Sequence, residues 1–168
     1  MEKKDLKPAG VFKYFEEICQ VPRPSKKEEK MIAYLKAFGA KHNLETKVDE
    51  AGNVLIKKPA TPGKENLQTV VLQSHIDMVC EKNNDVQHDF LTDPIETEID
   101  GEWLKAKGTT LGADNGIGVA TELAILADDS IEHGPLECLF TVDEETGLTG
   151  AFALKEGFMS GDILLNLD

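Results

Sequence analysis

Residues 69–77 read Thr-Val-Val-Leu-Gln-Ser-His-Ile-Asp, an apolar run that ends directly in a histidine and an aspartate. Two later apolar runs end in the same way: residues 136–142 precede Asp143, Glu144 and Glu145, and residues 163–167 precede Asp168. Short apolar runs of this kind are typical of buried strands. Because the carboxyl ends of parallel strands face a common crevice in an open α/β sheet, we expect one histidine and several carboxylates to converge there.

Helix and strand patterns alternate through the rest of the chain. Apolar spacing predicts helices over residues 9–19, 115–127 and 148–155, and another that runs from a capping box at Ser25–Glu28 to about Lys41. Strands are predicted over residues 69–74, 136–142 and 163–167. Residues 44–48 and 54–57 are predicted as a β-hairpin or strand pair, and residues 95–99 and 102–106 as a second hairpin. This alternation predicts an α/β fold, a mainly parallel sheet flanked by helices, within one domain.

Composition excludes several classes of protein. The 168 residues carry a net charge of −13, which argues against a nucleic-acid partner because such a partner requires a basic face. No run approaches the roughly 18 apolar residues that a membrane span requires. The N-terminus has no apolar segment behind its basic residues, so we expect no secretory signal and a cytoplasmic protein. Cys19, Cys80 and Cys138 form no Cys-x-x-Cys pair and are predicted to be reduced thiols.

His75 and Asp77 lie two residues apart after a strand, so extended geometry points both side chains the same way. His75 could then bind a metal ion while Asp77 holds its other ring nitrogen. Taken alone, the pair is better explained as polar surface residues at a strand end. Asp114 lies in a glycine-rich turn before a helix, where it could cap the helix or bridge two cations.

Glu144 and Glu145 are adjacent, so their side chains diverge and favour two roles, one on a metal ion and one on an attacking water. The alternative is a solvated acidic turn, and Asp168 alone indicates nothing. Isolated ions removed from water cost several kcal/mol each, so a converging cluster requires cations or abnormal protonation. The assembly therefore predicts most of a two-metal hydrolase site.

Four segments resemble, in order, the motifs of the di-zinc aminopeptidase, carboxypeptidase and aminoacylase family. They are Ser74-His-Ile-Asp-Met-Val79, Gly112-Ala-Asp-Asn-Gly-Ile-Gly118, Asp143-Glu-Glu-Thr-Gly147 and Asn166-Leu-Asp168. A narrower resemblance, to the bacterial aminoacyl-histidine dipeptidases (peptidase D, the carnosine-splitting type), covers nearly the whole chain. Its segments are His75–Asn83, His88–Phe90, Asp93–Ile95, Asp100–Trp103 and Gly108–Gly116.

The resemblance implies a role for each matched residue. His75 and Asp168 would bind one metal ion and Glu145 the other, with Asp114 bridging them; Asp77 would orient His75, and Glu144 would be the general base. It implies two divalent ions, zinc or else cobalt or manganese, and short peptide substrates, above all Xaa-His dipeptides such as β-alanyl-histidine. The peptide bond between Asp114 and Asn115 is often cis in this family.

Family members are much longer than this chain. After the position of Asp168 they carry a lid domain and later a histidine that completes the Glu145-side metal site. We therefore expect residues 1–168 to be the N-terminal portion of the catalytic domain without the lid, inactive alone, and with an exposed sheet edge that invites self-association. The full-length protein is expected to be a homodimer. Tripeptidase or aminoacylase activity, a non-catalytic metal-binding module, and an α/β domain with merely surface acidic clusters are the alternatives.

Overall fold

The computed structural model describes residues 2–168; Met1, the first residue of the N-terminal segment considered above, lies outside them. The helices are α1 (Ala9–Cys19), α2 (Glu29–Lys41), α3 (Ala113–Ala127) and α4 (Thr149–Ala153). The strands are β1 (Glu45–Val48), β2 (Val54–Lys58), β3 (Val70–His75), β4 (Thr97–Asp100), β5 (Trp103–Ala106), β6 (Leu136–Thr141) and β7 (Ile163–Asn166). Every helix and strand predicted from the sequence is present.

Five strands form one sheet in the order β1-β2-β6-β3-β7, and β4 and β5 form a separate hairpin. Strands β6, β3 and β7 are parallel, whereas β1, β2 and β6 pair antiparallel. The turn before β2 is closed by Asp49, whose Oδ1 accepts three backbone N–H groups, and this tight return makes β2 antiparallel to β1. The α/β fold is confirmed; the sheet is mixed, and its parallel character belongs to the β6-β3-β7 half.

The main core lies between the sheet and the first three helices. Phe15 and Ile18 of α1, Leu35 of α2 and Leu123 of α3 are almost completely buried there. Strand β6 lies at the centre of the sheet, and all six of its residues are buried. A smaller cluster, built on Leu55, Val71 and Leu139, is covered by residues 154–159 on a second side. The two clusters fix the central strands, and so also the positions of the strand ends.

Three predicted helix boundaries differ from the structure. Ser25 and Glu28 form no capping box: α2 begins at Glu29 with no side-chain cap, and both side chains bond elsewhere. Helix α3 begins at Ala113, but Asp114 and Asn115 within it have non-helical backbone angles, and the peptide bond between them is cis, as the resemblance implied. Helix α4 covers only part of the predicted residues 148–155.

The cysteine prediction is confirmed, since Cys19, Cys80 and Cys138 are all free thiols and the first and last are buried. Among residues 2–168, no helix combines the length and the apolarity that crossing a membrane requires.

Candidate metal centre

The centre is built at the carboxyl ends of three parallel strands. Strand β3 ends at His75, which pairs in register with Thr141 at the end of β6. Strand β7 ends at Asn166, two residues before Asp168. The side chains that follow these strands therefore reach the same edge of the sheet, as the sequence predicted.

The imidazole of His75 is the middle of the cluster and is only 1% exposed. Its Nε2 atom lies 3.1 Å from Asp114 Oδ1 and 3.9 Å from both Glu144 Oε2 and Asp168 Oδ1. Ligand atoms of His75, Asp114 and Glu145 lie within 4.8 Å of one another, and so do those of His75, Glu144 and Asp168. The structure thus brings together all five of these predicted site residues.

Asp77 contacts the opposite side of the His75 ring. Its Oδ1 lies 3.2 Å from His75 Nδ1 and accepts the backbone N–H of Glu144 at 3.0 Å. Its Oδ2 accepts the backbone N–H of Glu145 at 3.2 Å and the hydroxyl of Ser25 at 2.7 Å. Because Asp77 takes up Nδ1, the ring is oriented with Nε2 towards the carboxylates. The same carboxylate fixes the backbone of the Glu144-Glu145 loop.

The contacts within the cluster shift the pKa values of His75 and Asp77. Burial lowers the pKa of His75, but its hydrogen bonds to Asp77 and Asp114 outweigh burial and raise the pKa to about 9. Burial raises the pKa of Asp77, but hydrogen bonds from His75 and from the backbone outweigh it and lower the pKa to about 2. Burial, together with the neighbouring carboxylates, raises the pKa of Glu145. Such a group of acids around one imidazole favours a cation at its centre.

Three residues near the centre were not predicted from the sequence. Ser25 bonds Asp77, as described above, and Glu28 Oε1 accepts the backbone N–H of Asp143 at 2.9 Å, which holds the start of the acidic loop. Arg23 donates to the backbone carbonyl of Ile76, just after β3, and to that of Gly112, just before α3. The one signal that could have found Arg23 and Ser25 is their position beside Pro22 and Pro24. Glu28 carries no such signal, and the sequence predicted Ser25 and Glu28 only as the capping box of a helix.

The donor types fit a divalent metal ion. Imidazole nitrogen and carboxylate oxygen are ordinary zinc ligands, and a ligating histidine usually has its other ring nitrogen held by a carboxylate. Here Asp77 supplies that carboxylate, and the acidic side chains around Nε2 are partly open to solvent, Asp114 by 74%. The candidate metal-binding groups lie at the carboxyl ends of the parallel strands of a mixed sheet. This arrangement is suited to a metallohydrolase.

Comparison with known proteins gives the family. Residues 71–165 match peptidase family M20/M25/M40, and the chain belongs to this family. It is 51% identical over 167 residues to the cytosol non-specific dipeptidase of Escherichia coli (strain K12), across 99% of this chain and 34% of that protein. The predicted resemblance to bacterial aminoacyl-histidine dipeptidases is therefore confirmed.

Solved structures agree with this assignment. The fold matches the aminoacylhistidine dipeptidase from Vibrio alginolyticus with a TM-score of 0.95 and 55% identity, covering 99% of this chain and 34% of that one. It matches the aminopeptidase PepT from Bacillus cereus ATCC 10987 with a TM-score of 0.79 and 25% identity, covering 94% and 42%. The chain thus spans 34% of the length of the E. coli and Vibrio proteins.

Proposed function

We propose that this chain is part of a metal-dependent peptidase that hydrolyses short peptides, with Xaa-His dipeptides as its substrate class. The observation that carries the proposal is the buried His75 ring, held at Nδ1 by Asp77 and surrounded at Nε2 by the carboxylates of Asp114, Glu144 and Asp168. Family membership and the names of two relatives, both dipeptidases, support the reaction class. The name of the Vibrio protein, an aminoacylhistidine dipeptidase, supports the substrate class.

Two divalent ions, zinc in the first instance, would be held by the cluster. His75 and Asp168 are proposed for one ion and Glu145 for the other, with Asp114 bridging; the mutual approach of their ligand atoms within 4.8 Å supports this for His75, Asp114 and Glu145. When bound, the ions would lower the pKa of a water molecule and polarise the scissile carbonyl group. The protein's part is to fix the ligand positions, which Asp77 does through His75 and through the backbone of the loop that carries Glu145.

Glu144 is the proposed general base. Its side chain is 26% exposed, so it can reach both solvent and the centre, and its backbone is fixed by Asp77. A carboxylate in this position can take a proton from the attacking water and deliver it to the leaving amine. Because Glu144 Oε2 also lies 3.9 Å from His75 Nε2, a role as metal ligand is the competing assignment. The two assignments differ in what happens to metal binding when the charge is removed.

The whole protein's activity requires more than these residues. We propose that residues 1–168 form the N-terminal portion of the catalytic domain, a proposal supported by the 34% of the E. coli dipeptidase that they cover. The homodimer implied by the resemblance remains a prediction for the full-length protein. A direct test is therefore a chimera in which these residues replace the aligned third of the E. coli dipeptidase.

The chimera should hydrolyse an Xaa-His dipeptide and lose activity when a chelator removes metal. Glu144→Gln should lower its kcat by about 10²–10⁴-fold, because the proton acceptor is lost, while its zinc content stays unchanged. Glu156→Gln, at an exposed position away from the cluster, is the matched control and should keep full activity. A folded, zinc-loaded chimera without hydrolysis would contradict the proposed function, and loss of zinc in Glu144→Gln would contradict the base assignment.

A further inference from the structure

Arg23 is the single arginine of the chain, since all the other residues among its 18 lysines and arginines are lysine. It is also buried, with only 2% of its surface exposed. Arginine side chains are almost never fully buried unless they are paired, so a buried one requires partners for its donors. The structure shows what those partners are.

The guanidinium of Arg23 joins two segments that carry the proposed metal ligands. Its Nη1 atom donates to the carbonyl oxygens of Ile76 at 3.1 Å and Asp77 at 3.2 Å, directly after the end of β3. Its Nη2 atom donates to the carbonyl oxygen of Gly112 at 2.6 Å, two residues before Asp114. One planar group therefore connects the segment behind His75 to the segment that holds Asp114.

The second segment is shaped around the guanidinium. A Cβ atom at Gly112, where φ is +68°, would lie 2.5 Å from Arg23 Nη2, and a Cβ atom at Gly116 would lie 2.7 Å from the same nitrogen. Both distances are too short for real contacts. The two glycines thus leave the space that the arginine fills, one before Asp114 and one after it.

The backbone around Arg23 is tied to the same strand end. Its carbonyl oxygen accepts the N–H of Met78 at 3.1 Å, and Pro24 forms a parallel bridge with Met78. Ser25, two residues along, donates its hydroxyl to Asp77 Oδ2 at 2.7 Å. Residues 23–25 therefore lie alongside residues 76–78 and contact Asp77 through two side chains.

A lysine could not make these contacts. The guanidinium carries five donors in a rigid plane, so Nη1 and Nη2 can each bond a carbonyl group of a different segment. An ammonium group presents its three donors from one nitrogen on a flexible stem, and cannot occupy both of these positions. Because Arg23 bonds both segments, the distance between the end of β3 and the segment that carries Asp114 depends on the geometry of this one side chain.

We infer that Arg23 is a positioning residue that sets the distance between His75 and Asp114, and with it the affinity of the centre for metal ions. The inference rests on the proposed function, because it assigns those two residues as ligands. The hydrogen bonds of the Arg23 guanidinium go to backbone carbonyl groups near His75 and Asp114 and not to the side chains of these two residues. Arg23 therefore acts on the two ligands through the backbone segments that carry them.

The test compares the zinc affinity of Arg23→Met with that of a control variant at another buried basic residue, Lys58→Met. Lys58 is 8% exposed and donates to the carbonyls of Ile125 and Asp128 at the far end of α3, so Lys58→Met removes the same kind of contact away from the centre. Zinc affinity of the 168-residue chain is measured by competition with a chromophoric chelator, and Co²⁺ absorption reports ligand geometry. Arg23→Met should bind zinc about 10–100-fold more weakly, with an altered Co²⁺ spectrum, and Lys58→Met should bind like the wild type.

A double-mutant cycle separates positioning from a general loss of stability. If Arg23 acts by placing Asp114, then Asp114→Asn should weaken zinc binding strongly in the wild type and much less in Arg23→Met. Additive effects, or wild-type affinity in Arg23→Met, would overturn the inference while leaving the proposed function intact. A wild-type chain that binds no zinc would instead overturn the proposed function.

Gly116→Ala keeps the experiment decisive if Arg23→Met does not fold. The alanine favours the helix by about 1 kcal/mol, yet its Cβ must displace Arg23 Nη2. We expect weaker zinc binding in this variant with Arg23 still present. Zinc binding at the wild-type level by folded Gly116→Ala would contradict the inference.

Discussion

Asp77 is the side chain on which three segments of the centre meet. Its two oxygens accept hydrogen bonds from His75, from Ser25 and from the backbones of Glu144 and Glu145, and it is completely buried. An asparagine has the same shape but presents an amide donor where one of those donors now points. The substitution therefore leaves a buried N–H unpaired and loses the charge that orients His75.

We predict that Asp77→Asn weakens zinc binding about 10–100-fold, the effect typical of a residue that holds a metal-ligating histidine. Asp49→Asn is the matched control, because Asp49 Oδ1 also accepts three backbone N–H groups but lies in the β1–β2 turn. It should lower stability without changing zinc affinity. Equal zinc affinities for Asp77→Asn and the wild type would show that Asp77 does not orient the ligand.

Glu122 is a buried acid that the centre does not use. It is 0% exposed in α3, and neither carboxylate oxygen has a hydrogen-bond partner of normal geometry. Burial raises the pKa of Glu122 well above its usual range, and the nearby Ser74 hydroxyl and Cys138 thiol only partly offset it. The folded state thus holds a proton that the unfolded chain releases at about pH 4.3.

The stability that this proton contributes is fully present below about pH 4.3 and is lost as the pH rises towards the higher folded-state pKa. Glu122→Gln does not titrate, so its free energy of unfolding minus that of the wild type should increase as the pH rises above about 4.3, by at most about 1.4 kcal/mol per pH unit. Urea unfolding in chelator measures this gap. The exposed control Glu156→Gln should show no such trend, and a gap independent of pH for Glu122→Gln would refute the assignment of a protonated acid.

Some residues of the centre could be predicted from the sequence and others could not. His75, Asp77 and Asp114 stand in motifs or directly after apolar runs, so their local pattern marks them. Ser25 and Glu28 carry no such pattern, because their partners are 52 and 115 residues away. The local sequence pattern predicted that both residues cap a helix. In the structure they form tertiary hydrogen bonds instead of the capping hydrogen bonds.

At the scale of elements, periodicity located every helix and strand but not all of their ends. Helix α3 departs from regular geometry at Asp114 and Asn115, which the spacing of alanine and leucine along the helix does not reveal. Buried residues such as Leu123 and Leu126 fix the helix against its neighbours and therefore decide its existence. Its beginning is decided by the backbone of a turn that contacts Arg23.

Strand β7 lies at one edge of the sheet with all four residues exposed, including Leu164 at 53% and Leu165 at 48%. An apolar edge strand is a template for pairing with another chain. We predict concentration-dependent self-association of the 168-residue chain in sedimentation velocity, and its suppression by Leu164→Lys. Leu67→Lys, in a loop at 55% exposure, is the control and should leave association unchanged. A strictly monomeric wild type would contradict this prediction.

At the scale of the whole molecule, the centre depends on pairings that no local pattern encodes. Its side chains span residues 75–168, and they meet because β3 lies between β6 and β7 with all three parallel. The apolar runs predicted that the strands exist, and a rule about parallel sheets predicted that their ends meet. The β1–β2 pair could be predicted because its turn is local. The strand order, and the antiparallel pairing of β2 with β6, could not be predicted because both depend on contacts between distant parts of the chain.

The central claim is that these strand ends form one metal centre around His75. The most direct measurement is equilibrium dialysis of the 168-residue chain against zinc, with His75→Ala and the control His88→Ala, whose ring packs on Phe90 instead. We expect the wild type and His88→Ala to retain zinc and His75→Ala to lose it. Absence of bound zinc in the wild type, or equal retention by His75→Ala, would show that the strand ends do not form a metal centre around His75.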